Sequence, residues 1–327
     1  MFVKLDGDVI DILCCPLCKG TINMIGEKFV CKDCGTEYPK YSVVVGKHKE
    51  YVFDFRIHRP AYCIPDTVRK WIGVQEEYKK SLSNWKSVDN LHMYLDEIDS
   101  VKEIYNKEFT IKGKVLDVGG GQGRLRYFLK DKDVPLYVSI DPYLEIFQNL
   151  EYQPNFLKAY SCLYKPCNFL SGYAENLPFT KKSFDWIHMR SALDHFRDPY
   201  LALKEAYRVL KADGTLIIGL TVSGGQSLLK TDNNHEYDSQ YGSLVSRVKK
   251  KFRHEGSMGL ARAAIRRVIK KIGMKTTDDH MFRWVYEDLI DLVCTTGFRV
   301  VKEHWQKSPF TMCIYLSAKK RREETRF

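Results

Sequence analysis

The sequence predicts an α/β chain in which a doubly wound, mostly parallel sheet stands behind a small cysteine-rich module. Three observations predict it: strands and helices alternate from Gly113 to Leu220, a strand within that stretch runs straight into a glycine loop, and five of the ten cysteines fall within the first 34 residues. A length of 327 residues suits one large domain with smaller neighbours, and a 44% hydrophobic content excludes intrinsic disorder. No window approaches the ~18 consecutive apolar residues of a membrane span. The first residues carry Asp6, Asp8 and Asp11 where a secretion signal would be basic and then apolar. A soluble, cytoplasmic chain is expected, and in that compartment clustered thiols read as metal or redox chemistry.

At the front, Cys15-Pro16-Leu17-Cys18 and Cys31-Lys32-Asp33-Cys34 are two C-x-x-C knuckles whose spacing lets two tight turns present four thiolates to one tetrahedral Zn²⁺. Short strand-like runs, Ile22 to Ile25 and Lys28 to Val30, lie between the knuckles, and Gly20 and Gly35 follow them. A bound metal supplies folding energy that so short a ribbon cannot gain from its own core. The alternative of a redox pair lacks the surrounding βαβ pattern, and Cys14 could replace Cys15 in a slightly different turn. The run from Ile12 to Val45 resembles the small zinc-ribbon domain found ahead of some methyltransferase domains and in activator subunits of translation-related methyltransferases. The organisation read from the sequence is a zinc ribbon at 1–46, a linker and cover helices at 47–112, and a main domain at 113–327 with an insertion at 221–283.

Within the middle stretch, His48 to Pro65 is aromatic, basic and non-periodic, and reads as a linker. Asp66 to about Phe109 turns helical, with Val68, Trp71, Tyr94, Leu95, Ile98 and Val101 at partly helical spacing. The alternation beyond Gly113 places strands at Val115 to Val118, Leu136 to Ile140, Phe184 to His188 and Thr215 to Leu220, with helices at Arg124 to Lys130, Leu144 to Asn149 and Pro199 to Leu210. After the insertion come a helix from Tyr286 to Thr295 and strands from Phe298 to Glu303 and Phe310 to Ser317. No helix-length segment separates the last two, which predicts an antiparallel pair at the sheet edge.

Asp117-Val118-Gly119-Gly120-Gly121-Gln122-Gly123 is D-x-G-x-G-x-G, and a dinucleotide fingerprint beginning at Gly119 would need glycine where Arg124 stands. An acid two residues before the first glycine suits a cationic amino or sulfonium group better than a pyrophosphate. The next strand ends at Asp141, where a carboxylate can accept from both ribose hydroxyls. The ordered set of Val115 to Gly123, Ser139 to Pro142, Gly172 to Phe179, Ser183 to Trp186 and Arg208 to Leu216 resembles the class I S-adenosylmethionine-dependent methyltransferases, of the type 11 kind. That resemblance implies a Rossmann-like sheet. It further implies that Asp117, Gly119, Gly121 and Gly123 cradle the methionine part of the cofactor, that Asp141 with Pro142 holds the ribose, that Ala174 and its neighbours meet the adenine edge, and that Met189 and Arg190 help close the pocket. Many relatives carry Asp where this chain has Tyr173, so Glu175 is expected to substitute, or Tyr173 to stack.

For the acceptor, candidate bases stand at Asp194-His195, just past the fourth strand, at His280, where the insertion ends, and at His304. The insertion holds eleven basic residues between Leu244 and Lys275 against the single acid Glu255, and Ala261, Ile265, Val268, Ile269 and Ile272 fall on one helical face. A basic amphipathic helix there would attract an anionic partner: a phosphorylated or otherwise anionic small molecule, RNA, or a membrane surface. Three functions follow: O-methylation of a small molecule such as a sugar or glycan precursor; methylation of RNA or protein; and a non-catalytic partner subunit. Base-amino methylation is disfavoured because the corner after the fourth strand reads Met189-Arg190-Ser191-Ala192 and lacks Asn/Asp-Pro-Pro-Tyr/Phe. The ribbon itself, with five Lys against six acids in residues 1–46, is no basic surface.

Overall fold

Runs such as Val115 to Val118 and Leu136 to Ile140 offer no solvent-facing alternation, the pattern of strands covered on both faces, and every residue of both is buried. The computed structural model describes residues 2–45, 48–57, 66–86, 89–147, 150, 153–224, 280–307 and 312–321. The chain begins with β1 (Val3–Lys4), a short helix α1 (Gly7–Ile10), and β2 (Ile22–Ile25), β3 (Lys28–Cys31), β4 (Glu37–Val45) and β5 (His48–Phe53). Helices α2 (Asp66–Lys86) and α3 (Leu91–Glu103) precede β6 (Lys114–Val118), β7 (Leu136–Asp141), α4 (Pro154–Ala159) and β8 (Cys167–Ser171). Then follow β9 (Phe184–Arg190), α5 (Pro199–Val209), β10 (Leu210–Ser223), β11 (Trp284–Val285), α6 (Tyr286–Thr295), β12 (Phe298–Lys307) and β13 (Met312–Lys320).

The large sheet runs β1-β8-β7-β6-β9-β10-β13-β12, with β11 beside β10. From β1 to β10 all neighbours are parallel, whereas β13 is antiparallel to both β10 and β12, as the missing helix between the last two strands predicts. Strand order reverses on either side of β6, so a crevice opens at its carboxyl end. Helix α5 shows why the covering helices form: Asp198 caps it by accepting from the Leu201 N–H at 3.0 Å, Pro199 opens it, and Ala202, Leu203, Ala206 and Val209 fall on its buried face. The helices expected after β6 and β7 shrink to 3-10 turns, Arg124–Phe128 and Leu144–Phe147. In the first, the Arg126 side chain turns back to donate to the carbonyls of Gly123 and Gln122.

The cysteine module is continuous with this sheet. β1 lies parallel to β8 with Val3 opposite Cys167, the Cys14 N–H donates to the Pro178 carbonyl at 2.9 Å, and the Thr180 N–H donates to Ile12 at 2.8 Å. Val9, Leu13, Phe29 and Phe55 share one core cluster with Leu116, Ile140 and Phe179. Residues 48–53, read from the sequence as the start of a linker, pair antiparallel with β4, and Phe55 then donates to the Ser171 carbonyl at 2.7 Å. The alternating residues of that hairpin are concealed in the sequence by its aromatic and basic composition. The remaining linker residues 58–65 and most of the insertion, residues 225–279 with its proposed basic helix, lie outside the described residues.

One carboxylate ties module to domain. Glu205 on α5 receives Lys19 Nζ at 2.7 Å, the Leu177 N–H at 2.9 Å, and Arg208 through Nε at 2.7 Å and Nη2 at 2.8 Å. Its removal strands two cations and an amide, so Glu205→Ala should lower stability by about 2–3 kcal/mol, read as a reduced urea midpoint at unchanged slope.

Candidate functional site

The crevice at the carboxyl end of β6 is shaped by how closely its glycine loop approaches the sheet. A Cβ on Gly120 would stand 2.4 Å from Asp117 Cγ and 2.7 Å from Ser139 Oγ, and Gly119, Gly121 and Gly123 all adopt positive φ, at 70°, 52° and 81°. The Gly119 N–H donates to the Ile140 carbonyl at 2.8 Å, and the Gly121 N–H reaches Asp141 Oδ2 at 3.3 Å. The loop is thereby pinned to the end of β7.

On one side of the loop a cleft is walled by Asp141 and Pro142 at the end of β7, by Tyr173, Ala174 and Glu175 after β8, and by Ala192, His195 and Phe196 after β9. Burial, the largest influence, pushes the Asp141 carboxyl up to about 6 against the lowering N–H donors of Tyr143 and Gly121. Burial likewise raises Glu175, whose Oε1 accepts the Asp198 N–H at 2.9 Å. Tyr173 is held edge-on to Trp71 with ring centroids 5.5 Å apart. Helix α2 roofs the cleft through Trp71, Gln75 and Tyr78. Trp71 Nε1 and Gln75 Nε2 both donate to the His195 carbonyl, at 2.8 and 3.1 Å, and the Tyr143 hydroxyl bonds Gln75 Oε1.

On the other side a second, polar cavity is lined by Asp117, Gly119, Gly120, Arg124, His188 and Arg190, among others. Tyr137 donates to Asp117 Oδ2 at 2.5 Å, and His188 Nδ1 lies 2.7 Å from Asp117 Oδ1. A carboxylate only accepts, so Nδ1 donates to Asp117, and Nε2 on the far side of the ring lies 2.6 Å from the Tyr105 hydroxyl. Burial drives both phenols well above their ordinary range, which keeps them donors. Beside them Glu97 takes both amino contacts of Arg124 Nη1 at 3.1 Å, the Tyr160 hydroxyl at 2.9 Å and Arg190 Nη2 at 3.3 Å. Two guanidinium groups thus share the Glu97 carboxylate, and with Asp117 as the second carboxylate the charges around the cavity balance.

His195 lines the first cleft, and Asp194 and His280 cluster with it. His280 Nε2 lies 3.3 Å from Asp194 Oδ2, His195 Nε2 lies 3.9 Å from the same oxygen, and the two imidazole centroids are 4.7 Å apart. The N–H groups of Met281 and Phe282 donate to the Asp194 carbonyl at 2.9 and 3.1 Å, so the returning end of the insertion is fastened here. His304 stands apart on β12, 3.3 Å from Glu108. Met189 is fully buried in β9 opposite Ile218 and lines neither cavity, whereas Arg190 lines the polar one. Sequence reasoning did not single out Gln75, Tyr78, Glu97, Tyr105, Arg124, Tyr137 or His188 as site residues. Apart from Arg124, noted only for breaking a fingerprint, their signal was membership of cover helices and strands, which specifies burial and not what is faced.

In the front module, Cys15, Cys18, Cys31 and Cys34 present four sulfurs within 4.8 Å of one another. Cys15 to Cys34, Cys18 to Cys31 and Cys18 to Cys34 are 3.7, 3.4 and 3.5 Å apart. A tetrahedron with Zn–S bonds of about 2.3 Å has edges of about 3.8 Å, so the donor set and its size fit zinc. Cys14 lies buried outside the group, its thiol raised by burial.

Residues 116–218 match the methyltransferase domain family, and residues 6–39 match the Trm112p-like protein family. The chain therefore carries a methyltransferase domain behind a Trm112p-like ribbon. It is 36% identical over 105 residues to the demethylmenaquinone methyltransferase of Thermotoga maritima, covering 32% of this chain and 42% of that one. It is 29% identical over 140 residues to the uncharacterized methyltransferase YcgJ of Bacillus subtilis, covering 39% and 51%. The chain thus spans about half the length of these relatives, or less. Among solved structures, magnesium protoporphyrin IX methyltransferase of Synechocystis with bound S-adenosylhomocysteine aligns at a TM-score of 0.46 and 14% identity, over 77% of this chain and 100% of that one. No helix among the described residues is long and apolar enough to cross a membrane.

Because no Cβ fits between the loop and Asp117, Gly120→Ala should destabilise the protein by about 1–3 kcal/mol in chemical denaturation.

Proposed function

We propose that this protein is an S-adenosylmethionine-dependent methyltransferase acting on a hydroxyl of a small molecule, such as a sugar or glycan precursor. The observation that carries the reading is the cleft at the carboxyl ends of β6 and β7, with a buried carboxylate at Asp141, apolar walls for a ring, and a carboxylate–histidine group that reaches its wall through His195. When bound, the donor supplies an electrophilic methyl on a sulfonium. Asp141 accepts from the ribose hydroxyls, Pro142, Tyr173, Ala174 and Glu175 enclose the adenine, and the backbone of Gly119, Gly121 and Gly123 admits the methionine portion. The guanidinium groups of Arg124 and Arg190 donate to the methionine carboxylate in the polar cavity. Asp194, His195 and His280 face the acceptor and dispose of its proton.

The roof of Trp71, Gln75 and Tyr78 over the cleft favours a small acceptor, since a nucleic acid needs an open approach along its backbone. Four cysteines of the ribbon hold one structural zinc ion in this reading, a closed site with no catalytic position. The competing reading, methylation of RNA or protein, draws on the ribbon family and on the basic insertion, most of which lies outside the described residues. In this reading of a small-molecule enzyme the protein is cytoplasmic, the compartment in which clustered thiols stay reduced and available to a metal.

Two outcomes test it. Ribose hydroxyls donate to the ionised form of Asp141, so a proton competes with the ligand there. Calorimetric affinity for S-adenosylhomocysteine should weaken as pH falls through about 6, approaching tenfold per pH unit below it, with Asp141→Asn removing most of that slope. The empty protein carries the opposite sign, because protonation relieves a buried charge. In methyl-transfer assays across a panel of hydroxylated metabolites, His195→Ala and His280→Ala should each lose on the order of 10²-fold in kcat while holding the ligand as tightly as the parent.

A further inference from the structure

We propose that Asp194, His195 and His280 form a second metal site, one that takes a divalent transition ion of the zinc class and acts on the acceptor. The inference deepens the methyltransferase reading and rests on it for its role, though not for the binding itself. Three features carry it. The three ligand atoms, one carboxylate oxygen and two imidazole nitrogens, all lie within 4.8 Å of one another. Their separations from Asp194 Oδ2, 3.3 Å to His280 Nε2 and 3.9 Å to His195 Nε2, exceed the usual hydrogen-bond range of about 2.7–3.2 Å. They bracket instead the edge of roughly 3.3–3.5 Å expected between ligands held about 2.0–2.1 Å from a common tetrahedral ion. The second oxygen, Asp194 Oδ1, is buried with no hydrogen-bond partner among the described residues, a costly condition for a carboxylate and one that a cation relieves.

The site is also built rigidly. The carbonyl of His195 receives two side-chain donors from α2, the carbonyl of Asp194 receives two backbone donors from the segment after His280, and Tyr78 packs on the His195 ring at 4.4 Å. Two imidazoles and one carboxylate select borderline divalent ions over Mg²⁺ or Ca²⁺ and leave coordination positions open. His280 is the most exposed of the three, its side chain 38% accessible, so the ligand set is reachable from its side. A hydroxyl that coordinates there is acidified by the ion and gives its proton to water, so the three side chains dispose of that proton as ligands of the ion and not as bases. The hydroxyl oxygen then forms the new O–C bond as the S–C bond of the sulfonium breaks, and the sulfur leaves with the electron pair as a neutral thioether. An acceptor offering a second oxygen beside that hydroxyl, such as a vicinal diol, fits the vacant positions.

The test is metal content per chain in the full-length protein, equilibrated with excess Zn²⁺ and freed of unbound ion, for wild type, Asp194→Ala, His280→Ala and His280→Gln. S-adenosylhomocysteine binding is measured in parallel. One equivalent fewer in Asp194→Ala and His280→Ala than in wild type is expected, with His280→Gln retaining circular dichroism unchanged and weakened metal binding. Cobalt loading should add d–d absorption free of thiolate charge transfer, which His280→Ala removes. Equal metal content in wild type and all variants would overturn the proposal, whatever the ligand does. Loss of S-adenosylhomocysteine binding in wild type, with the metal difference intact, would overturn the methyltransferase reading and leave the metal site standing.

Discussion

Everything at the crevice depends on how closely one loop of backbone can lie on the sheet. Asp117 and Ser139, on adjacent strands, occupy the volume that any side chain at position 120 would need. Glycine there allows the chain to pass over the carboxylate, and that passage sets the positions of Gly119 against Ala192 and of Gly121 against Asp141. The carboxylate beneath is fixed in turn by a phenol and an imidazole from β7 and β9. Two cavities exist because the loop stands between them, one edged by Asp141 and the other by Asp117.

Much of this was legible in the sequence because it rests on local rules. The acid and glycines of 117–123 fix a turn whatever surrounds it, and the acid at 141 ends a strand recognisable by its run of apolar residues. The two C-x-x-C knuckles need only short turns to bring their sulfurs together. The antiparallel last pair followed from a missing helix. Asp194, His195 and His280 were each chosen for separate reasons, one pair for its place after a strand and the other for ending an insertion, and they meet within one cluster.

What was not legible depends on long-range placement. Trp71 stands at helical spacing and reads as part of a cover helix, and Gln75 and Tyr78 carry no signal of their own, yet all three hang over the cleft because α2 crosses the turn carrying His195. His188 sits inside an apolar strand and has meaning only beside Asp117, 71 positions earlier in the chain. Arg124 was noted for breaking a fingerprint. Its partner Glu97 lies on a helix whose pattern gives no hint of that meeting. The hairpin of β4 and β5 was hidden because a strand with one face on a partner and the other in solvent need not look apolar.

The seam between ribbon and sheet also has a temporal side. β1 adds to β8, and the Asp6 N–H finds Asn168 across 162 positions of sequence. A ribosome adding about 5–20 residues per second needs on the order of 10–30 s to supply that partner strand. During this interval the ribbon can close its own turns but has nowhere to put Val9 and Leu13, which the finished protein buries against the domain. Nascent chains thus carry an unpaired strand and an apolar face well before the sheet edge that receives them exists. Such separation makes maturation slow relative to local folding and leaves the young chain open to aggregation.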